Sequence, residues 1–317
     1  MHNYCTLFDS NYLTRGLAMY ESLKKYSDNF HLYIFSFDDK SHELLKKLNL
    51  EFVTVISLKE LEDKDLLKVK NGRSAGEYCW TCTPSTIKYC IESYNLDACT
   101  YLDADLYFFS NPAVLIEEMG EKSVLITEHR YTAQYDQSAT SGIYCVQFMT
   151  FKNDENGMKA LNWWRDSCNE WCYARFEDGK FGDQKYLDDW TTRFEGIHVL
   201  KNLGGGVAPW NIQQYDFSSD ENFNLIFYHF HNYKLLEDER IECGTYKLDT
   251  NDLNILYKPY TRHLHTITKD LKKIDNINDY NGIVKNKPFS WKEPLRKFKR
   301  YIKGTYNIFD IKRLIRE

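Results

Sequence analysis

Chain breakers are scarce in this 317-residue sequence, which has only 6 Pro and 15 Gly. That scarcity excludes a fibrous or low-complexity protein. No apolar run approaches the ~20 residues that a membrane-spanning helix needs. The opening MHNYCTLFDSNYL lacks a basic stretch followed by an apolar one, so no secretory leader is read there and a cytoplasmic location is expected. Cysteine is present but unpaired in pattern: nine residues, an odd number, spread from Cys5 to Cys243. A secreted disulfide framework would be denser and even-numbered. Cys79 and Cys82 have a zinc-type spacing, but no second pair follows, and Cys168 and Cys172 share a predicted helix face without a histidine. Buried reduced thiols are the reading.

What is abundant is aromatic and apolar. The chain holds 24 Tyr, 19 Phe and 7 Trp, and 43% of it is hydrophobic, enough to fill a large core and too much for disorder. The net charge of −5 conceals a division: residues 285–317 carry 11 Lys/Arg against 3 Asp/Glu, so this tail is +8 and the remainder −13. An acidic body argues against a nucleic-acid partner and leaves the basic tail to meet an anionic surface.

Hydrophobic periodicity predicts strands at 4–8, 31–37 and 52–58, separated by helices from Leu13 and from Ser41. This βαβαβ rhythm is that of a parallel sheet with covering helices. Thr83-Pro84 reads as a helix start, with the helix running to about Tyr94 and a strand at Ala98–Leu102 after it. Further strands are read at 123–127, 143–151, 197–200 and 225–231, and a Trp-rich helix at 154–171. A division into a mixed α/β domain, 1–265, and a helical basic appendage, 266–317, is expected.

The sharpest chemical feature is Asp103-Ala104-Asp105, placed where an apolar strand leaves the sheet. Ligands of open α/β sheets bind at such carboxyl ends. Two oxygen ligands this close can share a divalent cation already held by a diphosphate. A solvated turn would show the same pattern. A haloacid-dehalogenase-type phosphatase fits poorly, because there the motif usually ends the first strand, and Leu106 follows where Thr or Val is usual. His229 and His231 alternate on one strand, with Lys234 shortly after. An imidazole completes a manganese-type site, and a lysine neutralises a departing phosphate.

In this order the motifs resemble those of GT-A-fold glycosyltransferases, close to family 8 and bacterial nucleotide-diphospho-sugar transferases, over residues 3 to 240. The resemblance implies that Leu7, Asp9, Asn11 and Tyr12 hold the uridine. It implies that Tyr101–Asp105 bind Mn2+ (or Mg2+) and the diphosphate of a UDP-sugar, with His229 taken as the third metal ligand and His231 left as the alternative. Asp183-Gln184 would lie beside the donor sugar, Trp210-Asn211 follows a glycine loop, and His229, Phe230 and Lys234 match the family's closing segment, with His231 and Asn232 beside the donor. The departures are specific. Family 8 carries an arginine in the helix before D-A-D; here that helix has Lys88, and the nearest arginine is Arg73. The family's Asn-Ala-Gly appears as Thr140-Ser141-Gly142 or is replaced by Tyr144–Gln147. Asn232 stands where glycine is expected, and one residue is missing before Lys234.

The expectation is a metal-dependent, retaining hexosyltransferase acting on a saccharide or lipid-linked acceptor in cell-surface polysaccharide synthesis. Asp183, Gln184 and Lys234 would be its catalytic residues, with Lys234 stabilising the leaving UDP and Asp183 a candidate base should the reaction invert. The rivals are a non-catalytic nucleotide-sugar-binding scaffold and a sugar-phosphate nucleotidyltransferase, whose glycine-rich N-terminal loop is absent. Trp163, Trp164, Trp171 and Trp190 are candidates for stacking on an acceptor sugar or for the core. Gly204–Gly206 is either a ligand-approach loop or a tight turn. In the tail, Ser290 to Glu293 reads as a capping box, followed by an amphipathic helix with Trp291, Leu295, Phe298 and Ile302 on one face. Through residues 290–316 it would make peripheral contact with the inner face of an anionic membrane.

Overall fold

A computed structural model describes residues 1–217, 223–285 and 291–316. Its centre is a seven-stranded sheet ordered β3-β2-β1-β4-β7-β6-β8. The strands are β1 His2–Phe8, β2 Phe30–Ser36, β3 Val53–Ser57, β4 Ala98–Leu102, β6 Val124–Glu128, β7 Tyr144–Lys152 and β8 Ile197–Val199, with β5 at Leu106–Phe108 outside this sheet. β3, β2, β1 and β4 run parallel, β7 is antiparallel to β4 and β6, and β8 is parallel to β6. This is the expected mixed, mainly parallel α/β architecture.

The topology places the site. From β1 the chain winds outward through β2 and β3, then returns to lay β4 against the other side of β1. The strand order therefore reverses between β1 and β4, and a crevice opens beyond their carboxyl ends. Asp9 leaves β1 there, and Asp103 leaves β4. Core side chains cover both faces: Leu13, Leu17 and Leu23 of helix Leu13–Tyr26 on one, Cys82, Ile87 and Ile91 of helix Ala75–Tyr94 on the other.

Two local expectations are corrected. Thr83-Pro84 does not open its helix, which begins nine residues earlier, at Ala75, with a reciprocal cap between Ser74 and Glu77. Pro84 sits in the interior, and the Thr83 hydroxyl donates to the Cys79 carbonyl at 3.2 Å. Propensity favours proline at a first turn, but the apolar face that packs on the sheet carries the helix through it. In the tail, the helix runs Glu293–Ile302 with Lys292 at its N-cap and no side-chain bond from that cap, later than the expected start; Ser290 of the expected box lies outside the described residues.

Beyond β8, β5 pairs with β9 Phe227–His229, while β10 Tyr233–Leu236, β11 Arg240–Cys243 and β12 Ile308–Asp310 form a small antiparallel sheet. Helix Lys258–Ile274 runs through residue 265, the expected domain division. It buries Leu264, Ile267 and Leu271 in the same core as Leu13 and Leu17.

The glycine triplet is a packing feature. A Cβ on Gly204 would stand 1.9 Å from the Asn224 carbonyl oxygen, and one on Gly206, at φ +89°, 2.7 Å from Thr127 Cγ2. Trp164 and Trp190 are fully buried in the core. Trp163 packs on Tyr186 and Phe194, and Trp171 on Tyr173.

Candidate active site

Asp103, Asp105 and His229 offer ligand atoms that all lie within 4.8 Å of one another. Three elements bring them there. Asp103 leaves β4 with its N–H bonded to the Gln147 carbonyl at 3.0 Å, and a turn closes from the Leu106 N–H to the Asp103 carbonyl at 3.2 Å. β5 then pairs with β9 in a register that sets Leu106 opposite His229. The imidazole Nε2 stands 3.2 Å from Asp105 Oδ1 and 3.8 Å from Asp103 Oδ2. Its Nδ1 lies 2.8 Å from Gln147 Oε1, which fixes the ring orientation and leaves Nε2 for the carboxylates.

The charges are set by this crowding. Burial, with Asp105 adding to it, pushes Asp103 up to about 6 against the pull of His229. Burial works against charge at Asp105 too, yet His229 outweighs it and holds this carboxyl below its ordinary value. Burial disfavours the imidazolium of His229, but Asp105 and then Asp103 raise its pKa well above the usual histidine range. A divalent cation can take the place of the proton that the two carboxylates hold on His229. Two carboxylates and one imidazole with its second nitrogen anchored form a donor set that suits Mn2+ or Mg2+.

Asp183 is near enough to Asp103 to feel its charge. It is buried, and burial reinforced by Asp103 pushes its carboxyl up to about 8. The Trp164 indole donates to its backbone carbonyl at 2.8 Å. Gln184 is tied differently: its Nε2 donates to the Ser141 carbonyl at 2.6 Å. Asp9 caps the turn Ser10–Tyr12, accepting from the N–H groups of Asn11 at 2.9 Å and Tyr12 at 3.3 Å. Leu7 and Ala104 are buried beside the two strand ends, and Tyr12 is exposed with the Arg15 guanidinium 4.6 Å from its ring centroid. Asn232 adopts φ +61°, the left-handed conformation that glycine tolerates best and asparagine next, so the departure from the family's glycine keeps the turn.

His231 lies 5.6 Å from His229, ring to ring, and 5.4 Å from Trp210. Burial and then His229 push it down to about 4, with the charge of Lys234 adding to the shift. Arg73 packs beside the helix start that follows it. Its guanidinium lies 3.8 Å from the Tyr173 ring centroid, and its Nη2 donates to the Asn169 carbonyl at 3.4 Å.

Tyr101, Trp210 and the Tyr144–Gln147 run are matched to the family by sequence, but three of their contacts are not foreseen there. Gln147 holds His229, the Tyr101 hydroxyl donates to Asp103 Oδ1 at 3.0 Å, and Trp210 stacks edge-on against His229 at 5.4 Å. A lone glutamine in the apolar run Tyr144–Lys152 was the available signal for the first.

No protein-family model matches the chain. It is 31% identical to the uncharacterized protein YfnD of Bacillus subtilis (strain 168) over 277 residues, 83% of this chain and 88% of that protein. The chain belongs to the YfnD family. A second relative, the uncharacterized protein YfnF of the same organism, is 29% identical over 296 residues, 89% of this chain and 97% of that one. Among solved structures, this YfnD-family chain superposes on the galactosyltransferase LgtC in complex with donor and acceptor sugar analogs. The TM-score is 0.54 at 11% identity, covering 84% of this chain and 96% of LgtC. The apo glycosyltransferase GlyE of Streptococcus pneumoniae TIGR4 gives a TM-score of 0.51 at 12% identity, over 86% of this chain and 63% of that one. The fold is that of the GT-A glycosyltransferases.

Proposed function

We propose that this YfnD-family protein is a metal-dependent glycosyltransferase that moves a hexose from a UDP-sugar to a saccharide or lipid-linked acceptor, with retention of configuration. The observation that carries the reading is the convergence of Asp103, Asp105 and His229 at the switch point of a GT-A sheet. When bound there, Mn2+ or Mg2+ supplies positive charge against a nucleoside diphosphate. The chain's own residues do the rest. Asp9, Asn11 and Tyr12, beside the end of β1, suit the uridine end of the donor. Lys234, whose charge is felt at His231, supplies a cation for the departing diphosphate. Asp183, kept protonated by its surroundings, offers a hydrogen-bond donor rather than a base to the sugar.

The tail supports a peripheral membrane contact in synthesis of a surface polysaccharide. Helix Glu293–Ile302 leaves Leu295 at 70%, Phe298 at 61% and Ile302 at 69% exposure, beside Trp291 at 78%. Arg296, Lys297, Lys299 and Lys303 flank this face in the sequence, while Arg300 turns to the body and bonds Glu242 Oε1 at 2.7 Å. A second apolar set in the tail sequence, Ile308, Ile311, Leu314 and Ile315, behaves otherwise: β12 pairs with β11, and Ile311 and Leu314 rest on the core. No helix among the described residues is long and apolar enough to cross a membrane.

The deciding experiment measures hydrolysis of a panel of UDP-sugars, with and without Mn2+. One sugar is expected to turn over, with activity lost in EDTA and in Asp103→Ala or Asp105→Ala proteins that keep their fold. Full turnover in EDTA, or no turnover of any UDP-sugar with Mn2+ present, overturns the reading.

A further inference from the structure

A second set of ligands meets on the opposite side of β1 and β4 from helix Leu13–Tyr26. Cys5 stands in β1, Cys99 in β4, and Cys90 in helix Ala75–Tyr94, which packs on that face of the sheet. The pairing of Cys5 with Tyr101 puts Cys99 two residues along the neighbouring strand, hence on the same face of the pleat. Their three sulfurs lie within 4.8 Å of one another; each residue is 0% exposed, and each is a free thiol.

Buried thiols are usually small apolar fillers. Cys168 and Cys172 fit that description, being close because they are four apart along the chain. Cys5, Cys90 and Cys99 are distant in sequence and come from three elements to one point. A metal–sulfur bond of about 2.3 Å places three sulfurs around a central ion about 4.0 Å apart, so side-chain shifts of less than about an ångström would close the site. No other His, Cys, Asp or Glu among the described residues joins the group. The Thr86 hydroxyl lies 3.8 Å from Cys5 Sγ, but its proton is taken by the Thr83 carbonyl at 2.7 Å.

We propose that Cys5, Cys90 and Cys99 form a buried three-coordinate site for one thiophilic monovalent cation, Cu(I). Three sulfurs without a fourth ligand suit Cu(I) better than Zn2+, which takes four in structural sites. Cysteine ligates as the thiolate, so the three thiols release their protons to solvent as the ion binds during folding. Copper stays monovalent and no sulfur is oxidised. The chain then sorts cations by hardness, with oxygen and imidazole ligands in the cleft and sulfur beneath the sheet. Because the sulfurs are sealed from solvent, the ion enters while the chain folds, and its binding tightens β1 and β4, the strands that end at Asp9 and Asp103.

The test refolds the full-length chain from denaturant, anaerobically, with Cu(I) supplied as its acetonitrile complex, and strips loose ion with a Cu(I) chelator. The expected result is one copper retained per chain, a raised thermal midpoint, and an X-ray absorption shell of three sulfurs. Cys90→Ala and Cys99→Ala should lose the copper, and a Cys168→Ala/Cys172→Ala protein should keep it. The absorption shell needs no variant to fold. No retained copper, a shell of nitrogen or oxygen, or retention unchanged in Cys90→Ala overturns the proposal. None of these readouts depends on glycosyl transfer.

Discussion

The Nδ1 of His229 and the Oε1 of Gln147 lie 2.8 Å apart, both side chains buried, with Gln147 on β7 and His229 at the end of β9. This contact turns the imidazole so that its other nitrogen faces Asp105. Anchored ligands bind metal more tightly because their orientation costs nothing at the moment of binding.

Gln147→Leu should therefore weaken Mn2+ binding about 10- to 100-fold while leaving the fold in place. Gln147→Glu, which keeps an acceptor facing the ring, should recover most of the loss. Electron paramagnetic resonance titration of Mn2+ measures both, and unchanged affinity in Gln147→Leu would remove the anchoring role.

Asp183 gives a pH signature in metal-free protein. Its folded carboxyl is raised to about 8, above the ~3.9 of an unfolded aspartate. The native chain thus holds a proton that the unfolded chain releases, so this group lowers stability as pH rises through that window. Asp183→Asn should match wild type near pH 4 in urea unfolding and gain on it steadily until the pH passes the folded pKa of about 8. A difference independent of pH would mean that the carboxyl is ionised in the fold.

Lys234→Ala should lower kcat by roughly 10²-fold and change donor KM much less, since its charge is needed where charge builds on the leaving diphosphate. Steady-state kinetics at saturating Mn2+ reads the split. A KM effect alone would make Lys234 a donor-binding group.

Leu295→Glu/Phe298→Glu should abolish flotation with anionic vesicles at low salt. Both side chains are largely exposed, so thermal stability should move by no more than about 0.5 kcal/mol. Vesicle binding retained by this protein would assign the exposed face to something other than lipid.

The amino-acid sequence by itself determined the alternation of strands and helices through β4, because period-2 and period-3.6 apolar patterns are local properties. It also determined Asp103-Ala104-Asp105 at a strand end, since a motif and its strand are contiguous. Tertiary structure decided what is long-range. The pairing of Leu106 with His229 chose that histidine over His231 as the carboxylates' neighbour, and only folding brings Gln147 to it. Packing on the sheet carried a helix through Pro84, where local propensity favoured a start. The tail divided in the same way: its two apolar sets look alike in sequence, but β11 offers a free edge to Ile308–Asp310, while nothing among the described residues covers Leu295 and Phe298. The meeting of Cys5, Cys90 and Cys99 has no sequence signal, because residues far apart in the chain become neighbours only through strand order and helix packing.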